Sequence, residues 1–286
     1  MSFRTVVIKE RSKLDLKLNY LVCRNTSETK VYIPEISVLI LESTAISLTT
    51  ALISELIKNN VKIIFCDEKH NPESEICSYY GSYNSSKRIM VQIDWSSQTK
   101  KRVWAEIIKN KINKQAQFLA ELNFSAEAEM LYSYESQVIL NDETNREGHS
   151  AKVYFNRLFG LDFCRRNQSF INGALNYGYA ILLSCFNREV SKNGYITQIG
   201  IWHRNEFNTY NLSSDLMEPF RVLVDRIVYN LDDGDNEYKL KILDLFNIQL
   251  KIDGKNQYLE NAISIYCQSV FNSLEKNNVE MIRFYE

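Results

Sequence analysis

The chain has 286 residues, 45% hydrophobic and 24% charged, with only 9 Gly and 3 Pro. This is a globular composition that excludes low-complexity and collagenous classes and is too poor in turn-formers for a protein made wholly of short strands. Lys and Arg number 34 against 35 Asp and Glu, a formal charge of −1, so a nucleic-acid or anionic-membrane partner would need a local basic patch. The six Cys (Cys23, Cys66, Cys77, Cys164, Cys185, Cys267) lie far apart without a C-x-x-C pair, in a chain too long to need disulfide staples. The longest apolar run, around Tyr177 to Phe186, is about half of the roughly 18 residues a membrane span requires. The opening MSFRTVVIKERSK lacks a signal-peptide pattern. These features predict a soluble, reduced, cytoplasmic protein.

From Arg4 to about Cys66 the segments TVVIKE, KLDLKL, YLVCR, KVYIP, VLILE and VKIIFC read as short strands, rich in β-branched residues and partly alternating. One helix interrupts them over Leu48 to Asn59 behind Ser47 as N-cap, with Leu48, Leu52, Leu56, Ile53 and Ile57 on one face. Residues 67–96 hold Asn71, Pro72, Gly81 and several Ser with weak periodicity, the composition of an interdomain connection. The predicted organisation is α+β in two domains: a small β-rich domain over 1–75, a linker over 76–96, and a larger, mostly α-helical domain over 97–286. Helices are predicted from Ser97 onward, over Ser125 to Leu140, over Glu143 to Phe159 ending at Gly160, and over Phe170 to Lys192 ending near Gly194. An Asp253-Gly254 hairpin precedes a last helix over Leu259 to Lys276.

Three His are present, at 70, 149 and 203. Cys66, His70 and Cys77 are one ligand short of a tetrahedral zinc site and fit no zinc module, so a strand-end Cys and a surface His is the better reading. His149, two residues after Glu147, points away from it on a helix. His203 lies in GIWHRNEFNTYNLSSDLMEPFR, a stretch too polar for core. Pro219 marks a helix start or kinked first turn, placing Asp215 and Glu218 at the mouth of a core helix whose stripe is Met217, Phe220, Val224, Ile227 and Leu231. Two acidic residues there could serve a site or simply complement the helix dipole. Glu147 shares a face with Ala151, Tyr154 and Leu158, and a carboxylate on an inward stripe needs a metal ion or an Arg as partner. Glu147, His203 and Glu218 together would suit magnesium or manganese better than zinc. Between 87 and 114, eight Lys and Arg stand against Asp94 and Glu106, a local balance of +6. Lys100, Lys101, Arg102, Lys109, Lys111 and Lys114 are therefore candidate DNA-binding residues, although they form no single basic stripe on a helical wheel.

The segments NREGHSAKVYFNRLFG, INGALNYGYAILLSC and GIWHRNEFNTYNLSSDLMEPFR, in this order, closely resemble the signature blocks of the CRISPR-associated integrase/endonuclease family Cas1, in its short, type II-like branch. The resemblance covers essentially the full chain, including SSKRIMVQIDW and NAISIY. It implies a β-rich N-terminal domain and a helical catalytic domain, with Glu147, His203 and Glu218 as catalytic residues and ligands of Mg²⁺ or Mn²⁺. Asp215 becomes a supporting residue behind the ligands or an alternate ligand. The activity implied is CRISPR spacer acquisition, an antiviral function: a 3′-hydroxyl of a short duplex attacks a phosphodiester beside the array leader by transesterification. The implied partners are DNA, a second copy in a homodimer, and a small ferredoxin-fold companion, Cas2, in a heterohexamer, with other type II adaptation and effector proteins as further candidates and no membrane. The competing readings are a non-catalytic DNA-capture scaffold and a stand-alone metal-dependent nuclease.

Overall fold

Short β-branched segments of alternating character build the first of two units in the computed structural model, which describes residues 4–76 and 82–286. The unit ending at residue 79 holds β1 (Arg4–Ile8), β2 (Ser12–Lys17), β3 (Tyr20–Arg24), β4 (Glu28–Tyr32), β5 (Ile36–Leu41) and β6 (Ile46–Leu48). Helix α1 (Thr50–Lys58), β7 (Lys62–Cys66) and β8 (Pro72–Glu75) follow. One sheet has the order β1-β5-β7-β8, its first three strands parallel and β8 antiparallel. The run ISVLIL of β5 is buried at every position, as expected of a parallel strand covered on both faces. The other sheet, β4-β3-β2-β6, is an antiparallel meander with β6 added parallel to β2. Its β2–β3 turn is two residues long, Leu18 and Asn19, both at positive φ (50° and 64°), the geometry that matches strand twist. Leu14, Leu21, Ile33, Ile36, Leu39, Leu52 and Leu56 form the buried cluster of this unit.

The second unit, from residue 80 onward, is mostly helical. It contains α2 (Ser85–Ile93), α3 (Ser97–Glu121), α4 (Ser125–Ser136), α5 (Arg146–Phe159), α6 (Phe170–Lys192), α7 (Asn211–Met217), α8 (Arg221–Tyr229) and α9 (Tyr238–Leu243). The hairpin β9 (Gln249–Ile252) and β10 (Lys255–Tyr258) leads into α10 (Leu259–Lys276). The long helices α3, α6 and α10 bury residues on most of their circumference, which identifies them as the centre of the unit. Caps set their starts: the Ser96 hydroxyl accepts from Thr99 N, and Ser169 accepts from Asn172 N. Gly160 and Gly194 at positive φ follow the ends of α5 and α6, and Asp253 and Gly254, both at positive φ, turn the hairpin.

Several local expectations change. The first helix starts behind Thr49, whose hydroxyl accepts from Leu52 N, rather than behind Ser47; Ile46–Leu48 pair with β2 instead. Part of the stretch 76–96 is helix, because the buried side-chain amide of Gln92 donates to the carbonyls of Ile196 and Ile199 and accepts from Ile196 N. Cys77 and residues 78–81 lie outside the described residues. The helix predicted to reach Leu140 ends at Ser136, and Asn141, Asp142 and Asn145, all at positive φ, turn the chain before α5.

Helices α6 and α8 meet at Gly178, where an added Cβ would lie 2.4 Å from Cγ1 of Val224. Gly178→Ala should therefore lower stability in chemical denaturation by about 1–3 kcal/mol, the usual cost of overpacking. Gly178→Ala combined with Val224→Ala should recover part of that loss.

Candidate active site

Glu147 stands in the first turn of α5, and two side chains set that turn. Asp142 accepts the backbone N–H of Arg146 (2.8 Å) and of Glu147 (3.0 Å), and Asn145, in the left-handed region, accepts from Gly148 N. Four donors are left unpaired at a helix start, so these caps fix where the Glu147 side chain leaves the backbone. Its inward neighbours are Ser150, Tyr154 and Leu158, all buried.

His203 is oriented by Asp215. The sequence pattern predicts Asp215 in a first helical turn; it lies instead within α7, fully buried, and gathers a loop onto itself. Its Oδ2 accepts the N–H of Ile201 (2.7 Å) and Trp202 (2.8 Å), and its Oδ1 accepts His203 N (3.2 Å) and pairs with His203 Nδ1. The hydrogen bond to Asp215 outweighs desolvation and raises the His203 pKa, with the charges of Asp215, Glu218 and Glu147 adding to the effect. Both Asp215 oxygens are engaged by this loop, and the ring of His203 meets Asp215 through Nδ1 rather than Nε2. Gly200 is needed for this approach, since a Cβ there would lie 2.6 Å from the His203 carbonyl oxygen and 2.7 Å from Asp215 Oδ2. The ring of His203 also stands edge-on to Trp104, with centroids 5.6 Å apart.

Glu218 opens a short 3-10 turn, Glu218–Phe220, that joins α7 to α8. Pro219 lies in this turn, which runs directly into α8 as a kinked first turn, so Glu218 stands at the start of that helix while Asp215 lies back in α7. Arg221 Nε donates to Glu218 Oε1 at 2.9 Å, and Lys111 Nζ from α3 lies 2.6 Å from Glu218 Oε2 and 2.6 Å from Glu147 Oε1. Burial pushes the Glu218 carboxyl up, but Arg221 and Lys111 outweigh it and hold it at about 2. Desolvation likewise disfavours the Lys111 ammonium, yet Glu147 and Glu218 raise its pKa above the ordinary value. The partner of Glu147 is therefore a lysine.

Lys111 joins Glu147 and Glu218, and His203 is near enough to feel both charges. Among the described residues no three acidic, His or Cys side chains converge with metal-ligand spacing. The donor chemistry nevertheless fits a divalent cation: two carboxylates meet at one cationic point beside an imidazole whose other nitrogen is fixed, and buried Glu218 Oε2 has an ion-pair neighbour but no aligned hydrogen bond.

A family profile described as "CRISPR associated protein Cas1" matches residues 5–260. The chain belongs to the Cas1 family. A relative named CRISPR-associated endonuclease Cas1, from Neisseria meningitidis serogroup C, is 32% identical over 232 residues, covering 81% of this chain and 76% of that protein. Another, from Francisella tularensis subsp. novicida, is 32% identical over 145 residues, 43% of this chain and 46% of its own length. Among solved structures, a casposase bound to integration product superposes with a TM-score of 0.75 at 17% identity, covering 97% of this chain and 92% of that one. A Cas1 protein from Thermotoga maritima gives 0.73 at 13% identity, covering 95% and 97%. A chain of a Cas6-RT-Cas1–Cas2 complex gives 0.74 at 16% identity, where this chain spans 98% of its own length but 36% of the longer chain. At these identities the structural likeness speaks for the Cas1 fold: β-rich at the N-terminus and helical thereafter.

Within this Cas1-family chain the predicted basic patch divides. Lys111 and Lys114 are buried, contrary to the expectation of a DNA-facing surface: Lys111 neutralises the two carboxylates, and Lys114 lies over the Tyr285 ring and donates to Gln117. Helix α3 is so central that these lysines point inward. Lys109 pairs with Glu106. Lys101 is half-buried, Arg102 is exposed, and Lys100 lines a cavity of about 460 Å³ with His203, Arg204, Asn205 and Asn208. Burial, then the charge of Arg204, lowers the Lys100 pKa. Trp202 beside this cavity is 40% exposed and stacks on Trp104.

Neither Arg221 nor Asp225 stands out in the sequence, although Arg221 is three residues after Glu218, one helical turn away. Arg221 lies 4.7 Å over the Tyr179 ring, and the Tyr179 and Tyr154 hydroxyls both donate to Asp225. Burial, against those hydrogen bonds, pushes the Asp225 carboxyl up to about 6. An unfolded Asp loses its proton near pH 3.9, so between about pH 4 and pH 6 the native state binds more protons, and this group's contribution to stability is lost as pH rises through that window. Asp225→Asn should remove that slope, on the order of 2–3 kcal/mol at 1.36 kcal/mol per pKa unit. Denaturation midpoints measured across the window test it, and an unchanged slope would refute the assignment.

Proposed function

We propose that this chain is a CRISPR adaptation integrase, a metal-dependent DNA strand transferase that joins the 3′-hydroxyl of a short duplex to a phosphodiester of a CRISPR array. The observation that carries the proposal is the meeting of Glu147 and Glu218 at one buried cationic point beside the Asp215-oriented His203, within a Cas1-family match spanning residues 5–260. The nucleophile belongs to the DNA, so the protein needs no activated Ser or Cys. Transesterification exchanges one phosphodiester for another.

Glu147, Glu218 and Nε2 of His203 would hold Mg²⁺ or Mn²⁺. Bound there, such an ion supplies Lewis acidity at the reacting phosphate and lowers the pKa of the attacking hydroxyl. Asp215 keeps the His203 ring in one tautomer, with its proton on Nδ1 and Nε2 toward the cavity. Arg221 fixes the Glu218 carboxylate through Oε1, the oxygen that Lys111 leaves to it. Lys100 and Arg204 in the cavity wall present positive charge to the DNA backbone, and the half-exposed face of Trp202 offers a stacking surface for a base. The casposase neighbour bound to integration product supports joining over simple cleavage. The neighbours that are Cas1–Cas2 complexes support a Cas2 companion, within which we place a homodimer of this chain in a heterohexamer. Among the described residues no helix is long and apolar enough to cross a membrane.

The test is insertion of a short duplex into a supercoiled plasmid carrying leader and repeat, with Cas2 and Mg²⁺ or Mn²⁺, scoring joined and merely cleaved products separately. Glu147→Gln, His203→Ala and Glu218→Gln should each abolish joining, and undiminished insertion by any of them would refute the site. Asp215→Asn should lower the rate by about 10–100-fold, the usual effect of losing a ligand's orienting partner. Cleavage without joining would favour the stand-alone nuclease.

With Lys111 and Lys114 buried, the DNA-binding charge is placed on Lys100, Lys101 and Arg102. Lys101→Glu with Arg102→Glu should weaken duplex binding and flatten its salt dependence by a slope of about 0.9 for each phosphate no longer neutralised. An unchanged slope would make these residues ordinary solvated surface.

A further inference from the structure

We propose that Lys111 is a built-in counter-ion: it holds Glu147 and Glu218 together when no divalent cation is bound, and it withdraws from between them when one binds. The inference rests on the divalent-cation reading above. Lys is rarely buried without a pairing task, yet Lys111 stands on the core side of α3, next to the fully buried Ile112, with its side chain 10% exposed. Its ammonium lies 2.6 Å from one oxygen of each carboxylate, the position a shared cation would take.

Charge balance gives the contact its consequence. Glu147 and Glu218 are matched by Lys111 and Arg221, so the cluster is neutral as it stands. A divalent ion added without rearrangement would crowd its two positive charges against Lys111 and Arg221 in a buried place, which is costly. Of the two resident cations, Arg221 is fixed by its Nε hydrogen bond to Glu218 and by its stacking on Tyr179. Lys111 carries a point charge on a flexible four-carbon stem. Lys111 is therefore the group that yields, and it competes with the metal for the same carboxylate oxygens. The competition has two effects: the carboxylates stay gathered in the cation-free protein, and cation affinity is lower than the bare donor set would give.

The experiment titrates MnCl₂ into the full-length wild type, Lys111→Met and Glu147→Gln by calorimetry, and follows thermal unfolding of each with and without MnCl₂. Lys111→Met should melt lower than the wild type without Mn²⁺, bind Mn²⁺ at least about tenfold more tightly because a competing charge is gone, and gain more in Tm on its addition. Equal or weaker Mn²⁺ binding by Lys111→Met overturns the counter-ion role alone. No Mn²⁺ binding by either wild type or Lys111→Met overturns the divalent-cation reading and this inference with it. If Lys111→Met does not fold, the wild type is treated with an acylating reagent and its lysines are mapped by mass spectrometry. Protection of Lys111 without Mn²⁺ and modification with it supports the role; identical labelling in both conditions overturns it.

Discussion

Two carboxylates cannot be gathered at one buried point unless a positive charge gathers them, and the second unit is arranged around satisfying that condition. Glu147 arrives on α5, Glu218 on the turn between α7 and α8, and Lys111 on α3, so a single ammonium ties three elements distant in sequence. Removing one partner of a buried pair leaves an uncompensated charge at a cost of about 3–5 kcal/mol, which makes the cluster a constraint on how these helices pack. Arg221 adds a second cation, and through Tyr179 it connects the cluster to Asp225 and Tyr154. The buried polar groups thus form a connected network, whose members rigidify one another only when all are satisfied.

The His203 side of the site obeys a different logic. Asp215 is buried without a cationic partner from a distant helix, and it is stabilised by three backbone N–H groups and the imidazole of the loop it organises. Such a cradle holds His203 at two points, its backbone N–H and its ring Nδ1. It also explains the local sequence: Gly200 must lack a side chain for the loop to reach Asp215, and the polar residues after His203 line a solvent-facing cavity rather than a core.

The two halves of the site differ in how they are charged. Around Glu147 and Glu218 the positive groups come from side chains able to move or to stay, whereas around Asp215 they are fixed backbone dipoles. The strand transfer proposed above would need both qualities: a place where a cation and a phosphate can enter, and a frame that does not shift when they do.

Much of the fold was legible in the sequence because local rules decide it. The β-rich start, the 170–192 helix, the Asp253-Gly254 hairpin and the Gly-terminated helices follow from periodicity, caps and positive-φ residues acting over a few positions. The three blocks that carry the family resemblance also lie in the sequence, and with them Glu147, His203 and Glu218. What local patterning misses is every feature decided by a distant partner. Gln92 turns a polar stretch into a helix through carbonyls more than a hundred residues away. Lys111 and Lys114 read as basic surface because a charge count cannot tell which side of a helix faces inward, and α3 is enclosed on most sides. Asp215 is a cradle rather than a helix-mouth acid because the 200–203 loop folds over it. The sequence by itself determined most of the elements and the family, and it supplied Glu147, Glu218 and His203 as candidate groups. Only tertiary packing decided which cation neutralises them, because burial and pairing depend on atoms that chain order does not bring together.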